Sequence, residues 1–79
     1  MAVDALKLQD FLVDDLGISR SDVGADALLF STGVVDSFAL VTLMTYLERE
    51  TGRFIEPGDI TLDNFDSISR IVNYLKEAA

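Results

Sequence analysis

Apolar residues recur at helical spacing in three separate stretches of the chain. Over residues 3–16, Ala5, Leu8, Leu12 and Leu16 form one stripe, widened by Leu6 and Val13, while Asp4, Lys7, Asp10 and Asp14 fall opposite. This spacing predicts an amphipathic helix with its apolar arc on a core and a stop at Gly17. Phe11 falls beside the polar side, where it would cover a loop. Leu6, Leu8 and Leu12 are each expected to contribute about 1.5–3 kcal/mol once buried. Residues 18–35 keep neither a helical nor a strand period. Turn residues (Ser19, Ser21, Asp22, Gly24, Asp26, Gly33) are mixed there with apolar anchors (Ile18, Val23, Leu28, Leu29, Phe30). The pattern predicts a long loop pinned across the helices, with one short helical turn over residues 26–30.

The second helical stretch covers residues 37–50. Leu40, Leu43 and Leu47 make its buried stripe, flanked by Ala39 and Tyr46. A second stripe, Ser37, Val41, Met44 and Glu48, places apolar side chains in line with a hydroxyl, and Phe38, Thr42 and Thr45 lie further round the outer side. Apolar residues grouped where a core has less need of them predict a partner-docking face of Phe38, Val41, Thr42, Met44, Thr45 and Glu48. Thr51-Gly52 ends this helix, Phe54-Ile55 returns apolar mass to the core, and residues 57–60 read as a short helical turn started by Pro57. A last helix begins near Asp66 as its cap, with Ile68, Ile71, Val72 and Leu75 at i, i+3, i+4 and i+7. Lys76 suits its C-terminal end, and residues 77–79 are expected to fray. The prediction is an all-α fold of three main helices and a short one between the second and the last.

Composition narrows the function. Seventy-nine residues make room for a single domain, residues 1–79, which buries roughly 60% of the surface of its unfolded chain. Hydrophobic residues make up 49% of the sequence, too many for a disordered chain. Without Cys there is neither disulfide nor thiolate metal site, which suits a cytoplasmic setting. A formal charge of −8 repels phosphate backbones and turns attention from nucleic acid to positively charged protein surfaces. Apolar runs are too short to insert in a membrane, and Met1-Ala2-Val3-Asp4 has none of the features of a signal peptide.

The candidate chemistry centres on Gly33-Val34-Val35-Asp36-Ser37-Phe38. Asp36 suits a helix cap and Ser37 the first helical position, a poor place for a core serine. There the hydroxyl meets water beside N–H groups with no intrahelical acceptor and the positive end of the helix dipole, a setting that favours an attached anion. Hydrolysis by Ser37 would need a base; the chain has no His, and Lys7 or Lys76 would have to substitute. Paired acids lack a deep cleft in so small a helical domain, and Asp22 with Asp26 lacks the dense ligands of a calcium loop. No catalytic or metal residue is assigned. The chain is expected not to be an enzyme, and its serine is the target of one.

An acidic chain of this length, with a long first loop, Asp36-Ser37-Phe38 at the mouth of the second helix, Leu43, Leu47 and Ile60, and then Asn64-Phe65-Asp66-Ser67-Ile68, resembles the acyl carrier protein family. The resemblance covers nearly the whole chain. It implies a small four-helix bundle of the acyl-carrier type. Ser37 would carry 4′-phosphopantetheine, transferred from coenzyme A by a Mg²⁺-dependent phosphopantetheinyl transferase, with cargo held as a thioester on the arm's thiol. Asp36 would cap the helix and help the transferase place its metal and the hydroxyl. Further implied partners are an acyl- or aminoacyl-loading enzyme and a downstream synthase or transferase, and a monomer is expected. In the fatty-acid type the second helix is rich in exposed acids, whereas here Ala39, Val41, Thr42, Met44 and Thr45 fill its early turns. That departure points to a discrete carrier of a specialised pathway, loaded with an aminoacyl, hydroxyacyl or short polyketide-type unit. The alternative is an unmodified acidic interaction module with the same fold.

Overall fold

The computed structural model describes residues 3–77, so Ala78 and Ala79, where fraying was expected, lie outside the described residues. Four α-helices follow one another: α1 (Ala5–Asp14), α2 (Ser37–Thr51), α3 (Leu62–Phe65) and α4 (Ile68–Glu77). Single 3₁₀ turns at Arg20–Asp22 and Pro57–Asp59 punctuate the connections. No strand occurs among the described residues. The first helix starts where Asp4 accepts the Lys7 N–H at 2.8 Å, which satisfies one of the donors that every helix start leaves over. The second ends at Gly52, whose φ of 68° carries the chain into the left-handed region that closes a helix.

One core joins all four helices. Leu8 and Leu12 from α1, Leu43 and Leu47 from α2, Phe65 from α3, and Ile68, Ile71 and Leu75 from α4 are buried. Both α1 and α3 pack against α4. Two residues of the first helix depart from the periodic reading. Leu6 is 64% exposed and Phe11 only 7%, so Leu6 contributes little burial and Phe11 belongs to the core side. The cause is tertiary: Tyr46 of α2 stacks on the Phe11 ring, centroid to centroid 4.0 Å at 14°, and such a pair adds to simple burial.

The long loop is held from several sides. Val23, Leu29 and Val35 are buried, whereas Leu28, expected as an anchor, is 42% exposed. Backbone positions are pinned by polar groups: Gln9 Nε2 donates to the Val23 carbonyl at 2.9 Å, and the Ser69 N–H to the Ala25 carbonyl at 2.9 Å. The helical turn expected over residues 26–30 instead sits earlier, at Arg20–Asp22. There Arg20 reaches Gln9 and Asp10 on α1, so contacts to a distant helix decide which part of the loop winds.

The short helix also differs in place. Pro57–Asp59 makes the expected turn, but α3 is formed by Leu62–Phe65, capped by Thr61, whose hydroxyl accepts the Asn64 N–H. As a result Asp66 follows the end of α3 and does not cap α4. Ser67 does: its hydroxyl accepts the Arg70 N–H at 3.2 Å and its carbonyl the Ile71 N–H at 3.0 Å.

Candidate functional site

Asp66 is 2% exposed. A buried carboxylate must be hydrogen-bonded to be tolerated, and this one is bonded to the loop that leads into α2. Its Oδ1 accepts the N–H groups of Leu29, Phe30 and Ser31 at 3.2, 2.8 and 3.0 Å. Its Oδ2 accepts a bond from the Ser31 hydroxyl, and its carbonyl accepts the Leu29 N–H at 2.8 Å. These bonds, with the Ser31 hydroxyl foremost, hold the carboxyl below its ordinary value of 3.8, against the opposite push of burial.

From this clamp the chain runs to the candidate serine in six residues. A turn closes where the Gly33 N–H meets the Phe30 carbonyl at 3.1 Å; Gly33 has φ of 79°, a conformation that costs other residues dear. The Val35 N–H then returns to the Leu29 carbonyl at 2.9 Å, and the Val35 side chain is 2% exposed. Asp36 follows in extended conformation and caps α2, its Oδ1 accepting the Ala39 N–H at 2.9 Å and its carbonyl the Leu40 N–H at 2.9 Å. Ser37 is the first residue of the helix and is exposed. Helix geometry provides the N–H groups of Ser37 and Phe38 with no intrahelical acceptor.

The sequence-predicted docking residues divide. Phe38 and Val41 are 84% and 66% exposed, and Thr42 and Thr45 are exposed beside them. Val41, Thr42 and Thr45 line a groove between α1 and α2 with Phe11, Asp15, Tyr46 and Arg49. Burial first, then the charges of Glu50, Asp15 and Asp4, raises the Tyr46 hydroxyl above its ordinary pKa. Met44 is half-buried against the core. Glu48 is half-buried too, its Oε2 accepting the Ile55 N–H at 2.8 Å, which ties the end of α2 to the following loop. Along this side of α2, Phe38, Val41, Thr42 and Thr45 are exposed, whereas Met44 and Glu48 are half-buried.

On the other flank of α2, one turn below Ser37, Leu40 borders an open apolar cleft of about 200 Å³, completed by Phe30, Ile60, Thr61, Leu62 and Phe65. Sequence reasoning missed this cleft and the clamp, because both depend on α3 meeting the long loop. The Asp66-Ser67 dipeptide offered only a capping signal. Among the described residues no group of three acidic side chains converges as a metal site, and no helix is long and apolar enough to cross a membrane.

Comparison with known proteins agrees with this architecture. The family model for the phosphopantetheine attachment site matches residues 7–75. The chain is 30% identical over 70 residues to an acyl carrier protein of Clostridium acetobutylicum, an alignment covering 89% of this chain and 88% of that protein. With a serine at the open end of a capped helix and a match running from the first helix to the last, the chain belongs to the acyl carrier protein family, whose members carry cargo and do not themselves catalyse.

Proposed function

We propose that Ser37 is the attachment point of 4′-phosphopantetheine and that the protein is a free-standing carrier of short cargo for a specialised pathway. The observation that carries the reading is an exposed hydroxyl at the first position of α2, on a helix capped by its neighbour Asp36. The residues fit the group. The Ser37 Oγ faces solvent, so it can bond to the phosphorus of coenzyme A as adenosine bisphosphate departs and its proton passes to the transferase. The N–H groups of Ser37 and Phe38 would be the donors available to such a phosphodiester, and the helix dipole would favour its charge by about 0.3–1 kcal/mol. Asp36 holds the helix mouth and offers a carboxylate to the transferase's metal-binding surface. When bound, the arm supplies a thiol that carries cargo as a thioester, which is how a chain without Cys performs this task.

The packing supports short cargo. Leu43 and Leu47 are fully buried, and the cleft beside Leu40 has about 200 Å³, below the roughly 300–1,000 Å³ of sites that enclose larger ligands. An aminoacyl, hydroxyacyl or short polyketide-type unit suits it better than a long acyl chain. Partner enzymes, the loading enzyme and the downstream synthase or transferase among them, meet the apolar face of Phe38, Val41, Thr42 and Thr45. Contacts of that kind depend little on ion pairing. The reading further includes a single domain, a monomer and a cytoplasmic setting.

The test is intact-protein mass after incubation with coenzyme A, Mg²⁺ and a broad-specificity phosphopantetheinyl transferase. One added arm on the parent and none on Ser37→Ala is the expected result. A folded, unmodified parent that gains nothing would replace this reading with that of an interaction module whose partner binds the Phe38 and Val41 face directly.

A further inference from the structure

We propose that Asp66 is a positioning residue for the reaction at Ser37: it latches the loop that delivers Ser37 to the transferase, from a point 29 residues further along the chain. This rests on the attachment reading above and adds to it a residue that does not touch the reacting atoms.

Asp36 caps α2 but is exposed, and nothing in its own cap fixes the helix start relative to the rest of the bundle. The connection back to the bundle runs through Val35, whose N–H bonds to the Leu29 carbonyl. Leu29 is in turn bonded through its own N–H to Asp66, at both the carboxylate and the carbonyl. Phe30 and Ser31 add two more N–H bonds to the same carboxylate oxygen, and the Ser31 hydroxyl occupies the other oxygen. One buried side chain therefore gathers three consecutive loop N–H groups, which have no helix or sheet ladder to satisfy them.

The latch also shapes the cleft. Phe30 forms one wall and Phe65 another; the first gives its N–H to Asp66 and the second immediately precedes it. Removing the carboxylate leaves this part of the loop held to Asp66 by the Leu29 N–H to its carbonyl alone, so the Ser37 mouth and the Phe30 wall shift together among several arrangements. Only a fraction of chains then offers the transferase a competent helix mouth, and apparent affinity falls by that fraction while the step after docking is unchanged. The loss should sit in KM, with kcat retained.

The experiment measures initial rates of pantetheinyl transfer by intact mass, using coenzyme A, Mg²⁺ and a broad-specificity transferase. It compares the parent, Asp66→Ala, Asp66→Asn and Ser31→Ala at a temperature where circular dichroism shows every chain folded. The control is Leu75→Val or Leu75→Ala, whichever matches Asp66→Ala in melting temperature. Leu75 lies with Thr51, Phe54 and Ile55, at the other end of α2. Asp66→Ala should lose about tenfold in kcat/KM through KM, and Ser31→Ala about threefold. Asp66→Asn keeps an oxygen for the three N–H groups and an amide N–H for the Ser31 hydroxyl, so its loss should stay within about threefold. The Leu75 control should stay within about twofold. Should Asp66→Ala fail to fold, the Ser31→Ala comparison decides. Transfer at the parent rate by Asp66→Ala or Ser31→Ala, or a loss no greater than that of the Leu75 control, overturns the latch alone. A parent that takes no arm overturns the attachment reading beneath it.

Discussion

The chain contains the dipeptide Asp-Ser twice, each time before a large apolar residue, in Asp36-Ser37-Phe38 and Asp66-Ser67-Ile68, and each at the start of a helix. Their fates are opposite. At α2 the aspartate is the cap, the serine is the first helical residue and the aromatic side chain is 84% exposed. At α4 the register moves by one: the serine becomes the cap, 3% exposed, while the aspartate turns back to hold the long loop and Ile68 is 1% exposed. The difference teaches that an Asp-Ser pair announces a helix start but not which of the two residues closes it. That choice falls to what lies behind the pair. Behind Asp36 the chain arrives extended from a turn, leaving its carboxylate nothing to meet but its own helix. Behind Asp66 stands α3, after which the carboxylate meets three consecutive loop N–H groups that lie outside any helix.

The largest expected effect breaks the likeness outright. Ser37→Ala abolishes attachment of the arm, whereas Ser67→Ala is modified like the parent, as intact mass will show. Stability reverses the order. Ser67→Ala removes a cap and should cost about 1 kcal/mol in urea unfolding, while Ser37→Ala, at an exposed first helical position, should stay within about 0.5 kcal/mol.

Exchange of the capping aspartate gives the next effect. Asp36→Ala should cost about 0.5–2 kcal/mol by denaturant midpoint, and Asp36→Asn, which still caps, only a small part of that. A subtler distinction lies in acid. Hydrogen bonds depress the Asp66 carboxyl in the folded chain, so its stabilisation is fully present above the ordinary carboxylate value and is lost as pH falls through the lower, folded one. Melting temperatures taken from about pH 6 down to about pH 2 should fall more steeply for the parent than for Asp66→Asn. Equal slopes would remove the carboxylate from the account of the loop.

The smallest expected effect is a near-absence. Raising salt from about 0.1 M to about 1 M shortens the screening length from roughly 10 to 3 Å. If Phe38, Val41, Thr42 and Thr45 make the docking face, transferase KM should change by less than about twofold over that range, and Phe38→Ala should raise it more than salt does. A steep salt dependence would instead direct attention to the acidic residues of α1.

Much of the molecule was legible without coordinates, because helical periodicity and capping are local. The presence and approximate positions of α1, α2 and α4, the stop at Gly52, the turn at Pro57 and the serine at the helix mouth all follow from side chains three or four positions apart and from the few residue types that satisfy orphan N–H groups, although α1 ends at Asp14, short of Gly17. Family membership was legible for the same reason, since the residues around Ser37 are contiguous in the chain. Three things were not: the burial of Phe11 against Tyr46, the bond that ties Glu48 to Ile55, and the role of Asp66. Each depends on a partner from 7 to 37 positions away, a distance over which neither period nor propensity carries information. Only when α3 and the long loop packed together did a carboxylate that looked like a cap find a better set of donors, because a buried charge settles where the most hydrogen bonds can be made to it.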